Sequence, residues 1–325
     1  MAWEGLKKRL GSGRQGSSAP FVLPSVVLEV EPGFVAGARL DRSSRQVRSM
    51  EVREVEAGAL VPLPNRPNVA IEAAVRSAVN QVVEKVGNGS GRLGLLLPDP
   101  CVRVATLVFE TLPGGHQEAE ALVRWKMRTV LPYPPEEARI CFQVLGKESN
   151  SIEVLALAVR QSVLAEYEAA LAGVNGGASL VLPATMALLP LLSDSAEGGQ
   201  LLVHVCAGSV TTVAVVGGRV RFWRNRWMGQ IMPEETWKEV SEEVARVLAN
   251  CSDHLQVEMR QIFVCVRPPV AEEQLAELGR ALGREVLPLE GSSAPAAQLP
   301  DPERELFNRY GMTAAGLVAN AGRER

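Results

Sequence analysis

Apolar and polar residues alternate through SVVLEVEPGFVAGARLD and break at Pro32-Gly33, so two strands around a turn are predicted there, with a third near VRSMEVREV. Pro64 and Pro67 mark a loop. Ile71, Ala74, Val75, Ala78, Val82 and Val86 then recur every three or four positions, the period of an amphipathic helix. GNGSG ends that helix, and LGLLLPD reads as a short buried strand. VRVATLVFE alternates as a strand. After the LPGG turn, Ala119, Leu122, Val123, Met127 and Val130 share one face of a helix predicted over 117–131, which YPP stops. Segments 140–145 and IEVLALAV are further strands, and 163–172 is a helix closed by Gly176-Gly177.

A second series follows the DSAEGGQ loop. LLVHV, VTTVAVV and RVRFWR predict a three-stranded meander with turns at Ala207-Gly208-Ser209 and Gly217-Gly218. A helix is expected over 233–251, then the strand QIFVCV, the helix AEEQLAELGRAL and the strand EVLPL. GSSAPAAQLPDP reads as a loop of low order, and 306–321 as a small-residue helix. Both halves open on a β-hairpin and continue into helices, which suggests a duplicated α/β lobe with a cleft between the copies.

The chain has 325 residues, enough for about two domains at roughly 150 residues each. Apolar residues are 46% and charged residues 22%, which excludes global disorder. The net charge of −3 argues against bulk nucleic-acid binding. Five scattered cysteines outline no zinc knuckle, CxxC pair or disulfide framework, which fits a reducing compartment. His116, His204 and His254 have no second metal ligand at helical spacing, so no metal site is expected. The continuous apolar run 180–192 would span about 20 Å as a helix, too short to cross a bilayer. No signal peptide is visible, so a cytoplasmic protein is expected. Residues 1–20 read as a flexible tail. In it Trp3, Leu6 and Leu10 share a helix face beside Lys7, Lys8 and Arg9, ahead of a GSGRQGSSAP linker. That helix is either a frayed terminus or a weak contact with an anionic membrane surface.

The segment LPGGHQEAEALVRWKMRTVLPYPPEEARICFQVLG, residues 112–146, resembles the PilM family of type IV pilus assembly proteins. The resemblance runs from about residue 25 to 320. It continues through EVLALAVRQSVLAEYEAALAGVNGGASLVLPATMALLPLL and the closing FNRYGMTAAGLVAN. It implies an α/β fold that is two-lobed and actin-like (of the ASKHA, ribonuclease H-like type), with a small α+β subdomain inserted in the first lobe. On this reading 21–193 forms the first lobe, with the insert at about 99–148 and the closing helix 306–325 returning to it; 194–305 forms the second lobe. The implied function is a non-enzymatic scaffold at the cytoplasmic face of the inner membrane. It would bind the cytoplasmic tail of a membrane-anchored PilN-like protein and engage cytoplasmic motor ATPases. Two alternatives stay open: an active actin-like ATPase whose nucleotide drives lobe closure, and a type II secretion component, since the cytoplasmic part of GspL shares the architecture.

Actin-like clefts grip Mg-ATP with glycine-rich turns, in which an Asp holds hydrated Mg²⁺ and Gly lets backbone N–H groups approach phosphate. Here the first turn reads LEVEPGFV, with Glu29 at the Asp position, Glu31 at the Gly position, and Gly33 after Pro32. A carboxylate at 31 would oppose a phosphate by roughly 1–4 kcal/mol. In the second turn, VHVCAGSVTT, His204 replaces the Asp and Cys206 the Gly, while Gly208 and Ser209 remain. In the third, VCVRPPV, Arg267 and two prolines stand where glycines belong. No cofactor is therefore expected, although Arg267 or Arg219 offers another route to a phosphate.

RVRFWRNRW (219–227) interleaves arginines with aromatics; it reads as a solvated edge strand or a protein-facing edge, with nucleic acid the least favoured partner. His204 and Cys206 lack a nameable orienting group, so no Cys-His nucleophile is assigned. Glu136-Glu137 reads as an exposed loop. Trp125 is either core or part of a groove between the insert and the body of the first lobe, where a partner tail would dock. No GxSxG, HExxH or P-loop pattern occurs, and no catalytic residue is assigned.

Overall fold

The computed structural model describes residues 22–322 except 88–91, 149, 175–176, 193–197, 230–232 and 292. The predicted N-terminal helix and linker, and Gly176 at the end of 163–172, lie outside the described residues. The chain divides into two compact units, residues 1–190 with 291–325, and residues 191–290. Residues 291–305, read from sequence as part of the second lobe, thus cluster with the first unit.

The first unit is built on a five-stranded sheet of order β3-β2-β1-β4-β8. Its strands are β1 (Val26–Glu31), β2 (Phe34–Asp41), β3 (Gln46–Glu54), β4 (Leu93–Leu97) and β8 (Ala178–Pro183). The first three form an antiparallel meander, whereas β4 runs parallel to both β1 and β8. Every residue of β1 is buried, as a strand covered on both faces requires. One cover is α1 (Glu72–Val86), whose Val75, Val79 and Val82 are fully buried. Each such side chain contributes about 1.5–3 kcal/mol relative to exposure.

The insert is a three-stranded antiparallel sheet of order β5-β7-β6 backed by α2 (His116–Met127). Its strands are β5 (Val102–Phe109), β6 (Ala138–Glu148) and β7 (Ser151–Arg160). It therefore extends to Arg160 rather than 148, because β7 is the central strand of this sheet and pairs with both neighbours. Val123, Met127, Phe109, Val154 and Ala156 form its core. The helix predicted over 117–131 stops at Met127. The following turn carries Val130 out to solvent, and the amides of Val130 and Leu131 both fold back on the Met127 carbonyl. After β7, α3 (Gln161–Ala170) leads into β8, and α4 (Ala184–Leu188) follows.

The second unit repeats the sheet pattern, with order β11-β10-β9-β12-β13. It comprises β9 (Gly199–Cys206), β10 (Ser209–Val216), β11 (Arg219–Trp227), β12 (Met259–Arg267) and β13 (Val286–Pro288). The predicted meander is present, and β12 pairs parallel with β9 and β13. Helices α5 (Pro233–Asn250) and α6 (Glu272–Leu282) close a core that includes Val203, Val240, Val244, Val264 and Leu278.

The C-terminal segment departs most from the sequence reading. The loop of low order contains a 3-10 turn at Ala294–Ala296, and Ala296 and Leu299 are buried. The closing helix is two helices, α7 (Asp301–Tyr310) and α8 (Met312–Gly322). They break at Gly311, where a Cβ would lie 2.7 Å from the Phe307 carbonyl oxygen. Glu303 on α7 accepts the Met50 amide of β3 at 2.9 Å. Gly316 brings α8 against α4 so closely that a Cβ there would lie 1.9 Å from the Ala187 carbonyl oxygen. Gly316→Ala is expected to destabilise the protein by about 1–3 kcal/mol. Urea unfolding of the full chain checks this, and an unchanged midpoint would contradict the close approach.

Candidate functional site

Of the three glycine-turn positions named from sequence, the first two fall at hairpin turns, one in each unit, and the third falls at the end of β12. In the first unit the turn joins β1 to β2, where Glu31 pairs across with Phe34. Pro32 followed by Gly33 at φ +94 is the pairing that type II turns favour, so Gly33 is explained by the turn itself. Glu29 and Glu31 alternate on one face of β1 and both are buried, at 2% and 3% exposure. Glu29 Oε2 accepts a hydrogen bond from Thr313 Oγ1 of α8 at 2.7 Å. The side chain at the expected Mg²⁺ position is thus held by a helix of its own unit.

Glu31 lies in a buried polar layer. Cys101 Sγ is 3.2 Å from the Tyr167 hydroxyl and accepts Asn68 Nδ2 at 3.4 Å. Burial pushes the Cys101 thiol up, against the Tyr167 hydrogen bond, and the charges of Glu31, Asp99 and Glu166 push it further. Burial likewise raises the Tyr167 phenol well above its ordinary range, with Cys101, Glu31 and Glu166 adding to it. Asp99 accepts the Thr185 amide at 3.0 Å and also the Thr185 hydroxyl. Glu166 accepts the amides of Asn68 and Val69 at 2.6 and 2.9 Å. These contacts tie the insert's root to α3 and α4, and α3 to the loop before α1. They were not foreseen, because each pairs residues far apart in the chain.

In the second unit, Ala207 (φ 45) and Gly208 (φ 78) form the two-residue turn between β9 and β10. Two successive positive φ angles define a type I′ hairpin. Gly208 also faces a close backbone neighbour, since a Cβ there would lie 1.9 Å from the Gly229 carbonyl oxygen. Ser209 Oγ donates to the Cys206 carbonyl at 3.1 Å, so its hydroxyl closes the turn. His204 and Arg267 sit on adjacent strands, His204 opposite Cys265 and Arg267 opposite Cys206. Both are buried, and the Arg267 guanidinium contacts His204 Nε2 through Nε at 3.1 Å and Nη2 at 2.9 Å. A guanidinium only donates, so Nε2 accepts and Nδ1 carries the ring proton. Sequence reading named both residues without joining them; the parallel β9–β12 register does so. The peptide bond from Arg267 to Pro268 is cis.

A left-handed conformation at a non-glycine residue costs about 1–2 kcal/mol. Ala207→Gly is therefore expected to raise stability by about 1 kcal/mol. Thermal and urea unfolding measure it, and a loss of stability would contradict the assigned turn.

Two arginines of β11, Arg224 and Arg226, are held by a residue not singled out from sequence. Glu243 on α5 is 1% exposed and pairs with Arg224, with Arg226 at 3.4 Å and with Arg246. It lies on the helix face that carries Val240, Val244 and Val247, and an acidic residue on an apolar stripe was the available signal. Trp223 is buried and Phe222 packs on the core.

Trp125 is not core: it is 56% exposed, with the Arg128 guanidinium 5.0 Å from its ring centre. It lines a hollow of about 590 Å³ with Glu120, Arg124, Arg128, Pro135 and Glu136. That hollow lies within the insert, between α2 and the turn before β6, not between insert and body. Arg124 is fixed there by Glu120 at 2.8 Å and by the carbonyls of Pro135 and Ala138 at 2.6 and 2.8 Å. Glu137, beside it, pairs with Arg160 at 2.7 Å. Among the described residues no group of three His, Cys, Asp or Glu side chains is placed to hold a metal ion. No helix among them is long and apolar enough to cross a membrane.

Two five-stranded sheets of matching order, the first carrying an inserted α+β unit, define an actin-like fold. Solved structures agree. The chain superposes on a chain of the PilM-PilN type IV pilus biogenesis complex with a TM-score of 0.73, at 17% identity over 91% of this chain and 98% of that one. It also superposes on a Bacteroides thetaiotaomicron protein with actin-like ATPase fold and unknown function, with a TM-score of 0.51 at 10% identity, covering 82% of this chain and 90% of that one. The cytoplasmic domain of EpsL, an inner membrane component of the type II secretion system of Vibrio cholerae, superposes more weakly, with a TM-score of 0.46 at 11% identity over 75% and 83% of the two chains. No family model and no curated protein matches the sequence. The fold is actin-like, in the PilM-like form that the sequence resemblance implies.

Proposed function

We propose that the chain is a PilM-type scaffold. It binds the cytoplasmic tail of a PilN-like membrane-anchored protein at the cytoplasmic face of the inner membrane and offers further surface to cytoplasmic motor ATPases. It does not act as an actin-like ATPase. The observation that carries this reading is the pair of internal bonds at the two would-be Mg²⁺ positions, Glu29 to Thr313 and His204 to Arg267. A side chain committed to its own unit is a poor ligand for hydrated Mg²⁺, and a buried carboxylate at 31 opposes phosphate. Gly33 and Gly208 are accounted for by turn geometry without a nucleotide. The fold likeness to a PilM-PilN complex and the sequence resemblance supply the partner class.

On this reading the exposed Trp125 is the anchor for the partner tail, since Trp and Arg dominate binding hot spots. Calorimetric titration with a synthetic peptide of the PilN-like tail is expected to show saturable binding. Trp125→Ala is expected to weaken it by about 2 kcal/mol, roughly 30-fold. Absence of peptide binding by the folded protein would overturn the scaffold reading. Unchanged affinity in Trp125→Ala would remove Trp125 from the contact.

A further inference from the structure

At the opposite end of the first sheet from the Pro32-Gly33 turn lies a hollow of about 850 Å³ whose lining includes Ser25, Arg39, Arg42, Arg48, Ser49 and Lys85. β1 has six residues, so this end is about 20 Å from the turn. Four cations converge there in a chain whose net charge is −3. The one carboxylate of the lining, Asp41, is already engaged. Its Oδ2 takes Arg48 Nε at 3.0 Å and Nη2 at 2.5 Å, and its Oδ1 takes the Ser43 hydroxyl and the amides of Ser43 and Ser44. Those bonds, the Ser43 hydroxyl first and Arg48 next, hold its carboxyl well below the usual carboxylate range. One of the four positive charges is thereby balanced, and among the described residues the other three have no carboxylate partner.

The backbone sets this arrangement. In the β2–β3 pairing Arg39 opposes Ser49 and Leu40 opposes Val47, so Arg48 is the extra residue of a β-bulge. A bulge re-aims side chains, and bulges recur beside binding sites. Arg42 is anchored through Nε to the Leu23 carbonyl at 2.6 Å, and Arg48 also donates to Gln298. Arg39 lies over the end of α1, its Nη1 2.8 Å from where a Gly87 Cβ would stand, and Gly87 is two residues after Lys85. Ser49 Oγ, on a residue of the lining, is buried with no hydrogen-bond partner among the described residues.

We propose that this hollow binds a phosphate group. Guanidinium forks match phosphate oxygens, and a charge-assisted set of this kind selects a phosphate ester or diphosphate over a neutral ligand. The volume leaves room for the organic part of a phosphorylated ligand, so free phosphates and anionic lipid headgroups share the required chemistry. The site is independent of the partner tail and of the two hairpin turns.

The test uses the full chain with two probes: pyrophosphate, and vesicles of phosphatidylglycerol with phosphatidylcholine set against phosphatidylcholine alone. The variant is R39Q/K85Q, which removes two exposed charges that hold no hydrogen bond in the fold described above. A control, K238Q/R280Q, makes the same net-charge change on α5 and α6 of the second unit. Wild type is expected to bind at least one anionic probe, with R39Q/K85Q weaker by about 30-fold and the control unchanged. Binding of vesicles alone identifies a lipid headgroup as the ligand; binding of pyrophosphate alone identifies a free phosphate. If wild type binds neither probe, or R39Q/K85Q binds as wild type does, or the control loses as much, the proposal is overturned.

Discussion

A carboxylate on a strand buried from both faces must find a donor inside the protein. Its desolvation otherwise costs several kcal/mol. β1 is such a strand, and it carries Glu29 and Glu31. The donor to Glu29 is Thr313, 284 residues away on the last helix. Much of the first unit is organised around that bond. α8 must lie close enough to reach β1, and Gly316 permits this by letting α8 meet the α4 backbone. α4 in turn carries Thr185, which satisfies Asp99 at the root of the insert. Chain end, sheet and insert are tied through buried acceptors, each matched to a donor on a different element.

The second unit solves the same problem with other residues. Its central strand β9 is also buried throughout, and the polar residue at the corresponding position is His204. Its partner is a cation from the neighbouring parallel strand, Arg267. The acid-to-hydroxyl bond of one unit and the imidazole-to-guanidinium bond of the other do one structural job: they satisfy a polar side chain in the middle of a sheet. Side chains spent in this way are withdrawn from solvent and from any bound cation. This is the physical link between the fold and the non-ATPase reading.

The strands and most helices were legible in the sequence because their cues are local. Alternation marked β1 to β3, the three-and-four spacing marked α1, and Gly-rich turns marked the second meander. The polar positions on β1, β9 and β12 were legible as departures from a glycine-turn pattern. What they do instead was not legible, because Thr313 and Arg267 are brought in by tertiary packing that no local spacing encodes. The insert's far edge was misplaced because IEVLALAV looks like any buried strand, and nothing in it says that it is the middle strand of the small sheet. Trp125 was ambiguous because a tryptophan on an amphipathic helix fits core or surface equally well. The segment GSSAPAAQLPDP looked like a loop because its buried apolar residues, among them Ala296 and Leu299, are too few to form a periodic pattern.

The account's central claim is that the residues at the glycine-turn positions serve the protein's own packing and do not hold Mg-ATP. Calorimetric titration of the folded full chain with Mg-ATP tests it most directly. The account predicts no saturable heat up to millimolar nucleotide. Saturable binding at micromolar nucleotide would contradict it and return the actin-like ATPase reading.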